Sequence, residues 1–154
     1  MTTLSTVSVC PSAVVEAPVE RVWDLLTRPE GFNMWAEAAL VAAEPEGRAH
    51  AGQKLHLVTR ALGWAFAVTI EVLEVDVPRR RLHALVEMPF RLSNDEVITM
   101  AEAGDGRTLV RFGCDFTLPP GWRGGVLRVL MHRELHRGPA GALARLKRAA
   151  EAPR

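Results

Sequence analysis

The sequence predicts an α+β fold, an antiparallel sheet closed by a long C-terminal helix. Three observations predict it. Short apolar runs of period two recur through most of the chain, the breaks between them carry hairpin chemistry, and the last third changes to helical spacing. With 154 residues and 48% hydrophobic content the chain is one domain, residues 1–154, with enough apolar material for a real core.

The first strand is read over Val7 to Ala17, with an edge or bulge at Pro11, which has no N–H for a ladder. Pro18 then opens a helix whose Val19, Val22, Trp23 and Leu26 share one face, and Pro29 ends it. Pro29-Glu30-Gly31 starts a second short helical segment bearing Phe32, Met34 and Trp35.

Six further strands follow: Ala39 to Ala43, Lys54 to Ala61, Trp64 to Val75, Arg80 to Met88, Arg91 to Ala101 and Thr108 to Leu118. Glu46-Gly47, Leu62-Gly63, Val77-Pro78, Met88-Pro89 and Gly104-Asp105-Gly106 supply the turns. Period two places Trp64, Phe66, Val68, Ile70 and Val72 inward on one strand, and Val110, Phe112, Cys114 and Phe116 inward on the last, with Arg111 and Asp115 in solvent.

After Pro119-Pro120-Gly121 the spacing of Val126, Leu127, Leu130, Met131, Leu135, Leu143, Leu146 and Ala150 predicts an amphipathic helix packed on the sheet. Gly138-Pro139 is expected to kink or divide it. Arg123, Arg128, Arg133, Arg137, Arg145 and Arg148 could mark a basic membrane-surface helix, but read more simply as its solvated face.

Composition narrows the function. Nineteen Lys plus Arg against 18 Asp plus Glu leave no global field for nucleic acid, and no apolar run is long enough for integral membrane association. The start of the chain lacks a secretory pattern, so a cytoplasmic location is expected. The preference for Arg over Lys and the abundance of Ala suit a high-GC bacterial genome. Cys10 and Cys114, the only thiols, read as small buried apolar residues. No hydrolase elbow, phosphate loop, dinucleotide fingerprint or Cys-x-x-Cys pair occurs.

The stretch Val14-Val15-Glu16-Ala17-Pro18-Val19-Glu20-Arg21-Val22-Trp23-Asp24-Leu25-Leu26, with Arg28-Pro29-Glu30 and Trp35, resembles the opening signature of the START-like (SRPBCC, polyketide cyclase/dehydrase-like) superfamily. Element order extends the resemblance over essentially the whole chain. It implies a helix-grip fold, in which a seven-stranded antiparallel sheet wraps around the C-terminal helix and two short helices join the first two strands. It also implies a cavity for lipids, polyketides or other apolar molecules. Family members include carriers, aromatase/cyclases and chaperone activators, so the residues of the site must decide between them.

The expected cavity wall is Trp35, Trp64, Phe66, Phe112, Phe116, Met131 and Leu135, any one of which could equally be plain core. Leu92, Ile98 and Met100 inward carry Asn94 and Glu96 inward too, and a buried carboxylate must be paired or hold its proton. Glu96 is therefore the leading polar ligand contact or general acid/base, with Asn94 beside it. Arg60 and Arg91 sit near strand ends, where a guanidinium could reach a cavity mouth. His132 and His136, at i and i+4, could share a metal, but without a third ligand no metal and no cofactor is expected.

The expected function is binding of a small hydrophobic molecule by a monomer or homodimer, with access between the final helix and the loops near Trp35, Gly63 and Pro89. Two alternatives stand beside it. One is a cyclase/aromatase-like enzyme using Glu96, Arg91 and His132; the other is a chaperone-activator-like module working from its surface.

Overall fold

A computed structural model describes residues 4–61 and 63–153. Its order is β1 (Ser5–Val9), β2 (Ser12–Val15), α1 (Val19–Thr27), a 3-10 turn (Pro29–Gly31), α2 (Phe32–Trp35), β3 (Ala39–Glu44), β4 (Lys54–Ala61), β5 (Trp64–Asp76), β6 (Arg81–Glu87), a second 3-10 turn (Pro89–Arg91), β7 (Ser93–Glu102), β8 (Thr108–Leu118) and α3 (Trp122–Glu151). Leu62 of the expected Leu62-Gly63 turn lies outside the described residues.

All strands form one antiparallel sheet in the order β1-β8-β7-β6-β5-β4-β3, with β2 also on β8. The architecture is the helix grip. The expected first strand is two pieces, because Pro11 cannot donate to the ladder, yet Val9 faces Cys114 and Ser12 faces Arg111, so the register carries through. Cys10 at this break is exposed, which corrects its reading as a buried residue; Cys114 is buried and both thiols are free. Bulges between Leu40 and Ala42 and between Val72 and Glu74 interrupt the ladders of β3 and β5, the kind of irregularity that bends and twists a strand.

The short helices are positioned by backbone and by glycine. Helix α1 ends where Arg28, preceding Pro29, takes an extended conformation. A Cβ on Gly31 would stand 2.4 Å from the Leu25 carbonyl oxygen, so only glycine lets the chain turn this tightly under α1. The Trp35 indole N–H donates to the same Leu25 carbonyl at 3.2 Å, tying α2 to α1.

Helix α3 runs unbroken through Pro139, against the expectation of a division there. Gly138 has no Cβ to meet the proline ring, which removes part of the clash that proline imposes on its predecessor. Buried apolar residues form two clusters. The larger joins Leu143, Leu146 and Ala150 of α3 to α1, α2 and the sheet. The smaller joins Leu135 to Leu92, Cys114, Phe116 and Leu118.

Two residues expected on the inward stripe of α3, Val126 and Leu130, are exposed; the stripe there consists of Leu127 and Met131, half-buried, and Leu135. The second half of the helix packs into the larger cluster, while the first half meets β1 and β8 through Leu127, Met131 and Leu135, one thin inward edge. Arg145 departs from the solvated set in the other direction: it is half-buried and donates through Nε to the Trp35 carbonyl at 2.8 Å.

Candidate functional site

Between the concave face of the sheet and α3 lies a cavity of about 340 Å³, lined by members of both core clusters. That volume is at the lower end of small-molecule sites, about 300–1,000 Å³. The wall is chiefly apolar. Leu55 and Leu57 come from β4, Val68, Ile70 and Val72 from β5, Ala84 and Val86 from β6, and Phe112 and Phe116 from β8. Trp35 of α2 and Met131, Leu135, Gly138 and Pro139 of α3 close it.

Strand alternation explains why this face is lined as it is. Leu92, just before β7, and Asn94, Glu96, Ile98 and Met100 on it are directed to the helix side of the sheet. Asn94 and Glu96 therefore interrupt an otherwise hydrocarbon surface, and β8 sets Cys114 directly opposite Glu96. The Asn94 amide donates to Glu96 Oε2 at 3.1 Å, and the Cys114 thiol lies 3.8 Å from the same oxygen.

Burial pushes the Glu96 carboxyl up from 4.5 to about 7, the two hydrogen bonds to its charged form opposing that rise. Burial, and then the charge of Glu96, push the Cys114 thiol from 9.0 up to about 12, so it stays protonated and serves as a donor. Near neutrality Glu96 is thus divided between acid and carboxylate. It can give a hydrogen bond to a ligand in the first form and accept one in the second.

The structure brings Trp35, Asn94, Glu96, Phe112, Phe116, Met131 and Leu135 together around this cavity. Four other sequence candidates lie elsewhere. Trp64 is 72% exposed at the start of β5 and is not part of the cavity lining. Phe66 is half-buried and packs edge-on against Phe90, with centroids 6.0 Å apart, outside the cavity lining. Arg91 is exposed on the second 3-10 turn and faces a separate surface cleft. His132 is exposed on α3 and meets His136 edge-on, with ring centroids 4.7 Å apart. In each case alternation or helical spacing says nothing of where the partner element stops. Arg60 is likewise exposed.

Sequence reasoning missed Arg145 and Glu37, which line the cavity and pair at 3.2 Å. An isolated arginine on a helix rich in arginine gives no signal of this; only the approach of α2 does. Among the described residues, no group of three or more His, Cys, Asp or Glu is placed to hold a metal ion.

A family model described as "Polyketide cyclase / dehydrase and lipid transport" matches residues 6–151. The chain belongs to this family. The family's fold recurs in solved structures. An aromatase/cyclase, Zhui from Streptomyces sp. R1128, is 20% identical over 96% of this chain and 94% of its own, with a TM-score of 0.80. A protein from Thermus thermophilus is 23% identical over 94% and 97%, with a TM-score of 0.74. A truncated norcoclaurine synthase from Thalictrum flavum is 11% identical over 100% and 99%, also at 0.74. No curated protein sequence matches the chain. At these identities the neighbours establish the shared fold, and the family's range of roles runs from ligand carriage to cyclisation.

Proposed function

We propose that this protein holds a small apolar molecule in the cavity between its sheet and α3, with Glu96 as the polar contact. The observation that carries the reading is a chiefly apolar cavity whose sheet face brings Asn94 and Glu96 together, with Cys114 beside them, apart from the polar residues Glu37, Glu134 and Arg145 that also line it. A core that only had to pack would gain nothing from a carboxyl whose burial lifts its pKa to about 7.

That same carboxyl supports a second reading, a cyclase-like enzyme in which Glu96 moves a proton to or from a chain folded in the cavity. A group that titrates near the working pH suits general acid/base work. Arg91 and His132 stand outside the cavity lining, so of the three residues expected to act only Glu96 would be in place. The interaction-module alternative expects a cavity filled by side chains, and an open volume of about 340 Å³ weighs against it.

Titration with the neutral fluorescent probe N-phenyl-1-naphthylamine tests the binding reading. One probe should bind per chain, and Ala84→Phe, which fills the cavity from β6, should weaken it by roughly tenfold or more. Absence of binding to the wild type, or equal binding by a folded Ala84→Phe, would overturn the reading. Glu96→Gln separates the two roles, since a binder keeps most of its affinity and an enzyme loses turnover.

A further inference from the structure

Helix α3 carries a second apolar face, and it points away from the protein. Trp122, Val126, Val129 and Leu130 stand at i, i+4, i+7 and i+8, the spacing of one helical stripe, and all four are exposed, Val129 by 78% and Trp122 by 75%. The inward residues Leu127, Met131 and Leu135 occupy the opposite side. A surface helix with apolar stripes on both sides has a partner for only one of them here. Beside the stripe, Phe90 is 67% exposed on the turn before β7, and Phe90, Trp122, Val126 and Leu130 share a cleft of about 480 Å³ with Arg91 and Arg123.

The charge around this face has one sign. Between Trp122 and Arg137 the helix holds Arg123, Arg133 and Arg137 on or beside this stripe and Arg128 on the far side, against a single acid, the exposed Glu134, which stands between the stripe and the cavity edge. Among the described residues none of these four arginines forms an ion pair, although elsewhere Arg28, Arg48, Arg81 and Arg145 do. Arg60 and Arg91 add exposed charge near the turns at this end of the sheet. The chain as a whole is nearly neutral, at +1, so this concentration is local.

We propose that the outward face of α3, from Trp122 to Arg137, docks the protein on an anionic lipid bilayer. Exposed Trp, Val and Leu on one stripe with arginines flanking it is the composition of a helix that lies in the membrane interface. The side chains enter the headgroup region while the guanidiniums bind lipid phosphates. The exposed Trp122, Val129 and Leu130 beside Arg123 and Arg133 complement a surface that is both apolar and anionic, which is what an anionic bilayer presents. Docking of this kind is peripheral, in keeping with the absence, among the described residues, of a helix long and apolar enough to cross a membrane.

Co-sedimentation with sucrose-loaded vesicles tests the proposal. The protein should pellet with phosphatidylcholine/phosphatidylglycerol vesicles and remain largely in solution with phosphatidylcholine alone. Raising the salt should release it, because exposed charges are screened. Arg123→Gln and Arg133→Gln should each lower partitioning by about fivefold, and Val129→Asp with Leu130→Asp should abolish it without lowering the melting temperature. Arg79→Glu, an exposed turn residue far along the chain from α3, should leave it unchanged.

Absence of sedimentation with either vesicle, equal sedimentation with both, or full retention in the double aspartate variant would each overturn the proposal. So would salt-sensitive capture on immobilised polyglutamate without vesicle binding, which would assign the face to an acidic protein instead.

Discussion

The two halves of α3 share one helix and little else. From Pro139 to Ala150 it is a core element: Pro139, Leu143, Leu146 and Ala150 are buried, and Arg145 and Lys147 donate to the backbone carbonyls of Trp35 and Val14. From Trp122 to Gly138 only Gly124 and Leu135 are buried, and the rest of the inward edge faces the cavity or a thin contact with β8. Helix formation therefore gives no clue to what a helix face is for. The second half holds the sheet closed, while the first half roofs the cavity and shows an apolar face to the outside.

The comparison predicts unequal costs of mutation. Leu146→Ala, in a fully buried site of the second half, should destabilise the fold by about 2–5 kcal/mol. Leu130→Ala, 74% exposed in the first half, should stay within about 0.5 kcal/mol. Urea unfolding of both variants checks this. Similar losses would mean that the first half is packed against something in solution.

The cavity floor adds a pH dependence that neither half of the helix would show by itself. Glu96 holds its proton up to about 7 in the fold, against an ordinary value of 4.5. Between those values the folded chain binds more protons than the unfolded one. Stability should therefore be fully present below pH 4.5 as far as this group is concerned, and fall as the pH rises towards 7, by up to about 1.4 kcal/mol per pH unit. Glu96→Gln removes that slope. Unfolding midpoints at about pH 5 and about pH 8 should converge on the variant and separate in the wild type, and parallel behaviour would place the carboxyl in water.

A smaller effect tests what pins the exposed half. A Cβ on Gly124 would stand 1.9 Å from the Pro119 carbonyl oxygen, so Gly124→Ala must push the first turn of α3 away from the end of β8. The expected cost is about 1–3 kcal/mol, measurable as a lowered melting temperature. A neutral result would show that this turn is free to shift.

Much of the fold was legible because its signals are local. Each strand from β3 to β8 was found within a residue or two, since alternation and turn chemistry act over a few neighbours. Pro11, Pro18 and Pro29 marked real boundaries for the same reason. Glu96 and Asn94 were legible as inward groups because a strand's period leaves a residue only two faces. Alternation also put Trp64 and Phe66 with the cavity, and reach from a strand end or a helix position put Arg91 and His132 there; all four lie outside its lining, because such local signals fail near element ends and on a helix with two apolar stripes. The exposure of Cys10 follows from alternation, since Val7 and Val9 are half-buried on β1 and the next position falls on the other face.

What the sequence determined by itself is the order and type of the elements and the sheet face that carries the carboxyl, because these depend on backbone propensity, proline and periodicity. Only the tertiary structure decided where the cavity lies, that Asn94 and Cys114 share one oxygen of Glu96, and which stripe of α3 faces solvent. Those facts depend on how far one element reaches across another, a distance that no spacing along the chain encodes.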